Sequence, residues 1–195
     1  MSKLSKEDLF TLEAYAEKRK DFRAGVLEHK KNRAVHVGPN ATLYFEDRLT
    51  MQYQIQEMLR IEKIFEAEAI QEELDAYNPL IPDGSNWKAT FMMEYGDVEV
   101  RKAELARLGG IEDKTWVQVE GFDKVYAIAN EDLERTNDEK TSAVHFMRFE
   151  LTPEMCSAAK QGAAISAGIE HQNYQHVQAP VTENIRASLA QDLSC

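Results

Sequence analysis

Two glutamates in the longest helical pattern of the chain, Glu62 and Glu66, have the residue type and spacing to do chemistry. The pattern covers residues 49 to 76, and side chains advance by about 100° per residue around such a helix. On this projection Glu62 lies near the middle of an apolar stripe formed by Met51, Ile55 and Met58. Glu66 follows one turn later, so both carboxylates project from one face.

A carboxylate within an apolar stripe must be paired, protonated or bound to a metal, because an unpaired buried charge is very unfavourable. Three interpretations stay open. In the first, Glu62 forms a buried salt bridge with an arginine such as Arg23, Arg48 or Arg148. In the second, Glu62 and Glu66 hold a metal or a polar ligand. In the third, the helix is rotated or exposed, and both glutamates face water.

His145 and Glu150 are the residues that we expect to complete a metal site. Both lie in the strand-like segment AVHFMRFEL, where alternation places them on opposite faces. Carboxylate and imidazole ligands favour Fe or Mn over metals that prefer thiolates. A ferritin-type di-iron centre is not expected, because its Glu-x-x-His motif does not occur in the sequence. The first hypothesis is therefore a metal or small-ligand site formed by Glu62, Glu66, His145 and Glu150.

Another hypothesis makes Glu62 the general base of an undescribed enzyme, which would require a cleft around it. The motifs GxSxG, HExxH and GxGxxG do not occur in the sequence, and neither does a Walker-type phosphate loop. Neither Cys156 nor Cys195 lies beside an obvious base, so the sequence does not indicate a thiol nucleophile. These observations favour a protein without catalytic activity, and they assign no catalytic residue.

The remaining hypothesis concerns the basic segment KRKDFRAGVLEHKKNR, residues 18 to 33. It contains seven Lys or Arg and two acidic residues, which leaves 16 basic and 32 acidic residues elsewhere. The simpler interpretation is a solvated helix face whose basic last turn complements the helix dipole. The alternative is a non-catalytic interaction module that docks an acidic partner protein or a nucleotide through Lys18, Arg19, Lys20, Lys30, Lys31 and Arg33.

Composition limits the remaining classes of function. The net charge of −11 argues against broad binding to nucleic acids or anionic membranes. A hydrophobic fraction of 43% in 195 residues predicts one globular domain over residues 1–195. The chain has no apolar run near the ~20 residues of a membrane span. Its first residues, MSKLSKEDLF, contain no apolar stretch, so we expect no secretory signal. Two cysteines are too few for a disulfide framework, so we expect a cytoplasmic protein.

The periodicity of the sequence also predicts the elements that must position these residues. It indicates an N-terminal helix over about residues 6 to 31 and a central helix over about residues 49 to 76. Turns at VGPN and EGFD predict two hairpins. Because most connections are short and few resemble βαβ units, we predict an α+β fold. In this fold a mostly antiparallel sheet is packed by the long central helix and flanked by the N- and C-terminal helices.

A family resemblance is carried by the stretches HKKNR, FEDR…QIQEMLR and AVHFMRFEL. With these stretches the chain resembles, along nearly its whole length, the bacterial DUF3501 family of proteins of unknown function. The resemblance implies an accessory role in iron or oxidative-stress metabolism. It implies partners among rubrerythrin-like and iron–sulfur proteins, since members of the family are often encoded beside them. A second copy of the chain is a further candidate partner.

Overall fold

The structure is a computed structural model that describes residues 2–131 and 140–194. Its strands are β1 (Ala34–His36), β2 (Ala41–Glu46), β3 (Asn86–Met93), β4 (Thr115–Val119), β5 (Val125–Tyr126), β6 (Ile128–Ala129), β7 (Val144–Glu150), β8 (Ile165–His171) and β9 (Tyr174–Gln178). Its α-helices are α1 (Leu12–Lys31), α2 (Arg48–Glu62), α3 (Ala67–Tyr77), α4 (Val98–Arg107), α5 (Pro153–Lys160) and α6 (Glu183–Ala190). In the described part of the chain no helix is long and apolar enough to cross a membrane.

The strands form two antiparallel sheets, which confirms the predicted α+β class. The first sheet has the order β1-β2-β3-β7-β6, and the second has the order β5-β4-β8-β9. Both predicted hairpins are present, as β1–β2 and as β4–β5. Their turns contain Gly38 and Gly121, each with a positive φ that glycine adopts without strain. After the second hairpin the chain leaves the second sheet, and β6 pairs with β7 in the first.

The main core lies between the two sheets and is built from the apolar faces of their strands. Rings from three strands meet there, since the Phe45 ring lies 6.4 Å from that of Trp87 and 6.2 Å from that of Phe149. Residues of β4, β8, α5 and α6 join the same buried cluster. Each fully buried side chain of this size stabilises the fold by roughly 1.5–3 kcal/mol.

A second, smaller core lies among the helices. The apolar stripe of α2 contributes Met51, Ile55 and Leu59, and α3 contributes Ile70 and Leu74. The predicted stripe therefore does face a core. This core is the helical layer's own cluster, which is separate from the cluster between the sheets.

The predicted central helix over residues 49 to 76 is two helices, α2 and α3. Lys63 ends α2 in the left-handed conformation with φ 57°, and the Ile64 N–H donates to the Leu59 carbonyl at 2.9 Å. The turn allows Ile64 to pack against the helical core that Ile70 joins from α3. Position 63 carries no Gly, Asn or Pro, the usual signals of such a turn, and the sequence therefore suggested one long helix.

The predicted N-terminal helix over residues 6 to 31 likewise begins in two pieces. A 3₁₀ turn over Lys6–Asp8 has the capping box expected from Ser5 and Asp8, and α1 begins later, after Thr11. Between them, the buried Gln56 amide accepts from the Phe10 N–H at 2.6 Å and donates to the Phe10 carbonyl at 3.3 Å. These bonds replace the helical bonds that Phe10 would otherwise make, which separates the turn from α1.

Arg33 connects three parts of the fold through a buried ion-pair network. Its side chain is 2% exposed, and its Nη2 donates to Asp192 Oδ2 at 2.5 Å. Its Nε donates to the Phe45 carbonyl at 2.9 Å and lies 3.4 Å from Asp47 Oδ2. His29 lies on the other side of Asp47, with its Nε2 2.5 Å from Oδ2. The network thus joins the end of α1, the end of β2 and the residues after α6.

We expect Arg33→Met to lower the free energy of unfolding by about 3–5 kcal/mol, because it leaves the Asp192 carboxylate buried without its counter-charge. The matched control is Lys31→Met, whose side chain is 69% exposed and pairs with Glu28 on the surface. This control should change stability by no more than about 0.5 kcal/mol. Urea unfolding of the three proteins gives the comparison, and equal losses in both variants would contradict the role of Arg33.

The same network predicts a pH dependence of stability, because burial raises the pKa of Asp192 to about 6 from its ordinary value of 3.8, against the opposing effect of Arg33. Between these pH values the folded protein holds a proton that the unfolded chain has released. Stability from this group is therefore complete at low pH and falls as the pH rises through the window.

Asp192→Asn should remove this dependence, since an amide does not titrate. Its stability relative to the wild type should increase between about pH 4 and pH 6, by up to about 3 kcal/mol, and stay constant above that range. Urea unfolding of both proteins at several pH values measures the difference. A difference that does not change with pH would show that Asp192 titrates normally.

Candidate functional site

The four residues predicted to form a metal site lie in separate places. Glu62 and Glu66 are exposed, at the turn that joins α2 to α3. His145 points into the core from β7, and Glu150 is exposed at the end of the same strand. Within residues 2–131 and 140–194, no group of three or more His, Cys, Asp or Glu is placed to hold a metal ion.

His145 lies in a buried polar cluster of the first sheet. Its Nδ1 is 3.1 Å from Asn130 Oδ1, and its Nε2 is 2.8 Å from Thr141 Oγ1 and 3.1 Å from the Ser142 carbonyl. A carboxylate oxygen of Glu112 lies 3.8 Å from Nε2. Hydrogen bonds therefore occupy both ring nitrogens, and the arrangement is that of a core histidine held by its neighbours.

Glu150 takes part in a surface ion-pair cluster around Arg148. The Arg148 guanidinium donates to Glu150 at 2.5 Å and makes a two-bond contact with Glu131 at 2.9 Å. This cluster borders a cleft of about 510 Å³, which Lys88 also lines. Burial lowers the pKa of Lys88, and its ammonium donates to the Pro79 carbonyl. The cations of this cleft already have partners within the protein.

The glutamate of α2 that makes specific contacts is Glu57, which the helical projection places outside the apolar stripe. Its Oε1 accepts from the Tyr15 hydroxyl at 2.7 Å and from Arg19 Nε at 2.8 Å, while Oε2 accepts from Arg19 Nη2 at 2.8 Å. The Arg19 hydrogen bonds, followed by that from Tyr15, lower the pKa of Glu57 to about 2. The Glu57 contacts clamp α1 to α2.

Beside this clamp a basic groove runs between the two helices. Its volume is about 500 Å³, and its walls are Ala16, Arg19, Lys20, Arg23 and Arg60. The first four residues share one face of α1, because they recur at the three- and four-residue spacings of a helix. Arg60 enters from α2 and contributes to the low pKa of Glu57 by its charge. The groove thus brings four cations from two helices together.

Most of this positive charge is not neutralised by ion pairs within the described part of the chain. Glu57 pairs with Arg19, whereas Lys20, Arg23 and Arg60 make no ion pair or hydrogen bond with the residues that the structure describes. Among the residues that line the groove, three positive charges are therefore uncompensated. They stand out in a chain whose net charge is −11.

The predicted partner-binding residues have different positions in the structure. Lys18 and Lys30 lie over aromatic rings, 4.9 Å from the centre of Phe10 and 5.9 Å from that of Tyr53. Lys31 pairs with Glu28 on the surface. Arg33 is buried, and its position removes it from any docking surface.

Arg19 and Lys20 are thus the predicted partner-binding residues that line the groove. Two further cations line it that were not among the candidate binding residues predicted from the sequence. Arg23 lies inside the basic segment but was considered only as a partner for Glu62. Arg60 lies outside that segment, as a single arginine in α2. Its sequence neighbours carry no signal of this role, because the packing of α2 on α1 brings it to the groove.

The two glutamates of α2 give a direct test of this geometry. Glu57→Gln should lower the free energy of unfolding by about 2 kcal/mol, because it weakens charge-assisted hydrogen bonds from Tyr15 and Arg19. Glu62→Gln, at an exposed position, should change it by no more than about 0.5 kcal/mol. Chemical unfolding at pH 7 measures both changes. A larger loss in the Glu62 variant would restore Glu62 as the structural glutamate.

Comparison with known proteins finds similarity to a family and to a solved structure. The crystal structure of a novel protein of unknown function from Burkholderia pseudomallei K96243 has the same fold, with a TM-score of 0.94. The two sequences are 52% identical, over 99% of this chain and 100% of that chain. No curated protein matches the chain. A sequence profile described as "Protein of unknown function (DUF3501)" matches residues 3–193, and the chain therefore belongs to the DUF3501 family.

Proposed function

We propose that this protein is a non-catalytic binding module that holds an anionic group of a partner in the basic groove between α1 and α2. The observation that carries the proposal is the set of three uncompensated cations, Lys20, Arg23 and Arg60. Elsewhere on the surface Lys31, Lys102 and Arg107 each pair with a carboxylate three residues away. The groove instead concentrates cations from two helices around a single carboxylate.

The side-chain chemistry of the groove suits carboxylates and phosphates. A guanidinium presents paired N–H donors whose geometry matches either group, whereas an ammonium acts as a compact point charge. Arg23 and Arg60 approach the cleft from opposite walls, so a bound oxyanion is contacted from both sides. Since Glu57 already satisfies Arg19, that arginine supports the groove while the other cations contact the ligand.

The acidic remainder of the molecule restricts which partners bind. Long polyanions such as nucleic acids meet repulsion from the rest of the surface, while a short acidic segment contacts the groove alone. We place the protein in the cytoplasm, with an acidic segment of a rubrerythrin-like or iron–sulfur protein as the partner implied by the family. The metal-site hypothesis lacks such support, because its four residues lie apart. The general-base hypothesis lacks it too, because Glu62 is exposed.

The double variant Arg23→Gln/Arg60→Gln tests the proposal. A fluorescently labelled ten-residue oligoglutamate serves as the probe, and fluorescence anisotropy in about 50 mM salt measures its dissociation constant. We expect the double variant to bind the probe roughly tenfold more weakly, which corresponds to the loss of two ion pairs of about 0.7 kcal/mol each. Binding to the wild type should weaken as salt is added, because the contacts are exposed to screening.

The matched control is Lys31→Gln/Lys102→Gln, which changes the net charge by the same amount. These side chains are 69% and 68% exposed, and neither lines the groove. The control should bind the probe within about twofold of the wild type. Equal weakening in the two double variants would mean that only net charge matters, and it would refute a site between α1 and α2.

A further inference from the structure

A second, mostly apolar cleft lies next to the basic groove, at the start of α1. It has a volume of about 410 Å³, and its apolar walls are Leu9, Phe10, Leu12, Leu59, Ile64, Phe65 and Ile70. Its rim is exposed to water, since Phe65 is 72% exposed. Ile61, 64% exposed, lies four residues before Phe65. Large apolar side chains this exposed at the edge of an apolar cleft are typical of a contact surface.

The two clefts share the same pair of helices. On α1, Leu12 lines the apolar cleft and Ala16, one turn later, lines the basic groove. On α2, Leu59 lines the apolar cleft and the next residue, Arg60, lines the basic groove. Leu12 and Arg23 are eleven residues apart, so the combined surface is about 16 Å long at 1.5 Å per residue. That length equals three turns of a partner helix.

We propose that this combined surface docks an acidic amphipathic helix of a partner protein. A large apolar side chain of that helix inserts beside Phe65, and carboxylates three turns away contact Lys20, Arg23 and Arg60. The inference rests on the proposed function and adds the shape of the partner to it. A helix of this kind binds a groove through anchors at three- and four-residue spacing on one of its own faces.

Charge complementarity selects the acidic helix over other occupants. The basic end offers three uncompensated cations, so an apolar helix without carboxylates would leave them without partners and partly desolvated. A small anion would use the basic end and leave Phe65 in water. A helix that combines both features is the occupant that satisfies the whole surface.

Designed 15-residue helical peptides provide the test. One peptide carries a tryptophan near one end and two glutamates eleven and twelve positions away; matched peptides replace the tryptophan with alanine or the glutamates with glutamine. Each peptide is made with its sequence in both directions, and fluorescence anisotropy measures its dissociation constant. The direction that binds more tightly is used for the comparison. Wild-type protein should bind the tryptophan peptide about tenfold more tightly than the alanine peptide. The glutamine peptide should bind at least tenfold more weakly than the tryptophan peptide.

Protein variants then assign the two ends. Phe65→Ser changes an exposed side chain, so it leaves the fold intact, and it should reduce the advantage of tryptophan over alanine to under threefold. Val98→Ser, a change at an exposed valine of α4, is the matched control and should keep the full advantage. Arg23→Gln/Arg60→Gln should weaken binding of both glutamate peptides.

The outcomes separate this inference from the proposed function. If Phe65→Ser keeps the tryptophan advantage while the double arginine variant still weakens both glutamate peptides, the partner-helix inference fails and the anionic site stands. If the arginine variant has no effect on either peptide, the proposed function fails. If the wild type dimerises, Phe65→Ser abolishes the dimer, and dimerisation excludes the peptide, the surface is occupied by a second copy of the chain and the inference is overturned.

Discussion

The buried guanidinium of Arg33 is the constraint on which the arrangement of the fold depends. A charge removed from water in this way requires partners on every side, and Asp192, Asp47 and the carbonyls at the end of β2 supply them. These partners come from segments more than a hundred residues apart in sequence. The helical layer that carries α1 is therefore attached to the sheets at one defined position, through polar bonds as well as apolar contacts.

The local elements were predictable from the sequence wherever one residue carries the signal. Gly38 and Gly121 mark the hairpin turns, and Ser5 with Asp8 marks the capping box. The interruption between α2 and α3 was not predictable, because the residue that ends α2 with a positive φ is a lysine, and the packing of Ile64 against the helical core appears only in the folded chain. Tertiary contacts determine the backbone conformation at this turn, and the helical periodicity of the sequence does not show where such contacts form.

The candidate site, too, was predictable from the sequence only in part. The basic segment indicated α1 as a possible partner-binding helix, but it could not reveal that Arg33 is buried while Lys20 faces a groove. The helical projection placed Glu62 in the apolar direction, but α2 ends at that residue and its side chain is exposed. Arg60 and Glu57 acquire their roles only when α2 packs on α1. The direction in which each side chain projects from a helix can be predicted from the sequence. The element that it meets in that direction depends on the whole fold.

The Glu57 clamp has a consequence for the speed of recognition. Because Tyr15 and Arg19 hold α1 against α2 through the same carboxylate, the two walls of the groove are already in place before any partner arrives. A ligand that meets a preformed surface loses little time or conformational entropy to rearrangement of the protein. Association is then governed by diffusion and by the attraction of the groove's cations, and the lifetime of the complex sets its affinity.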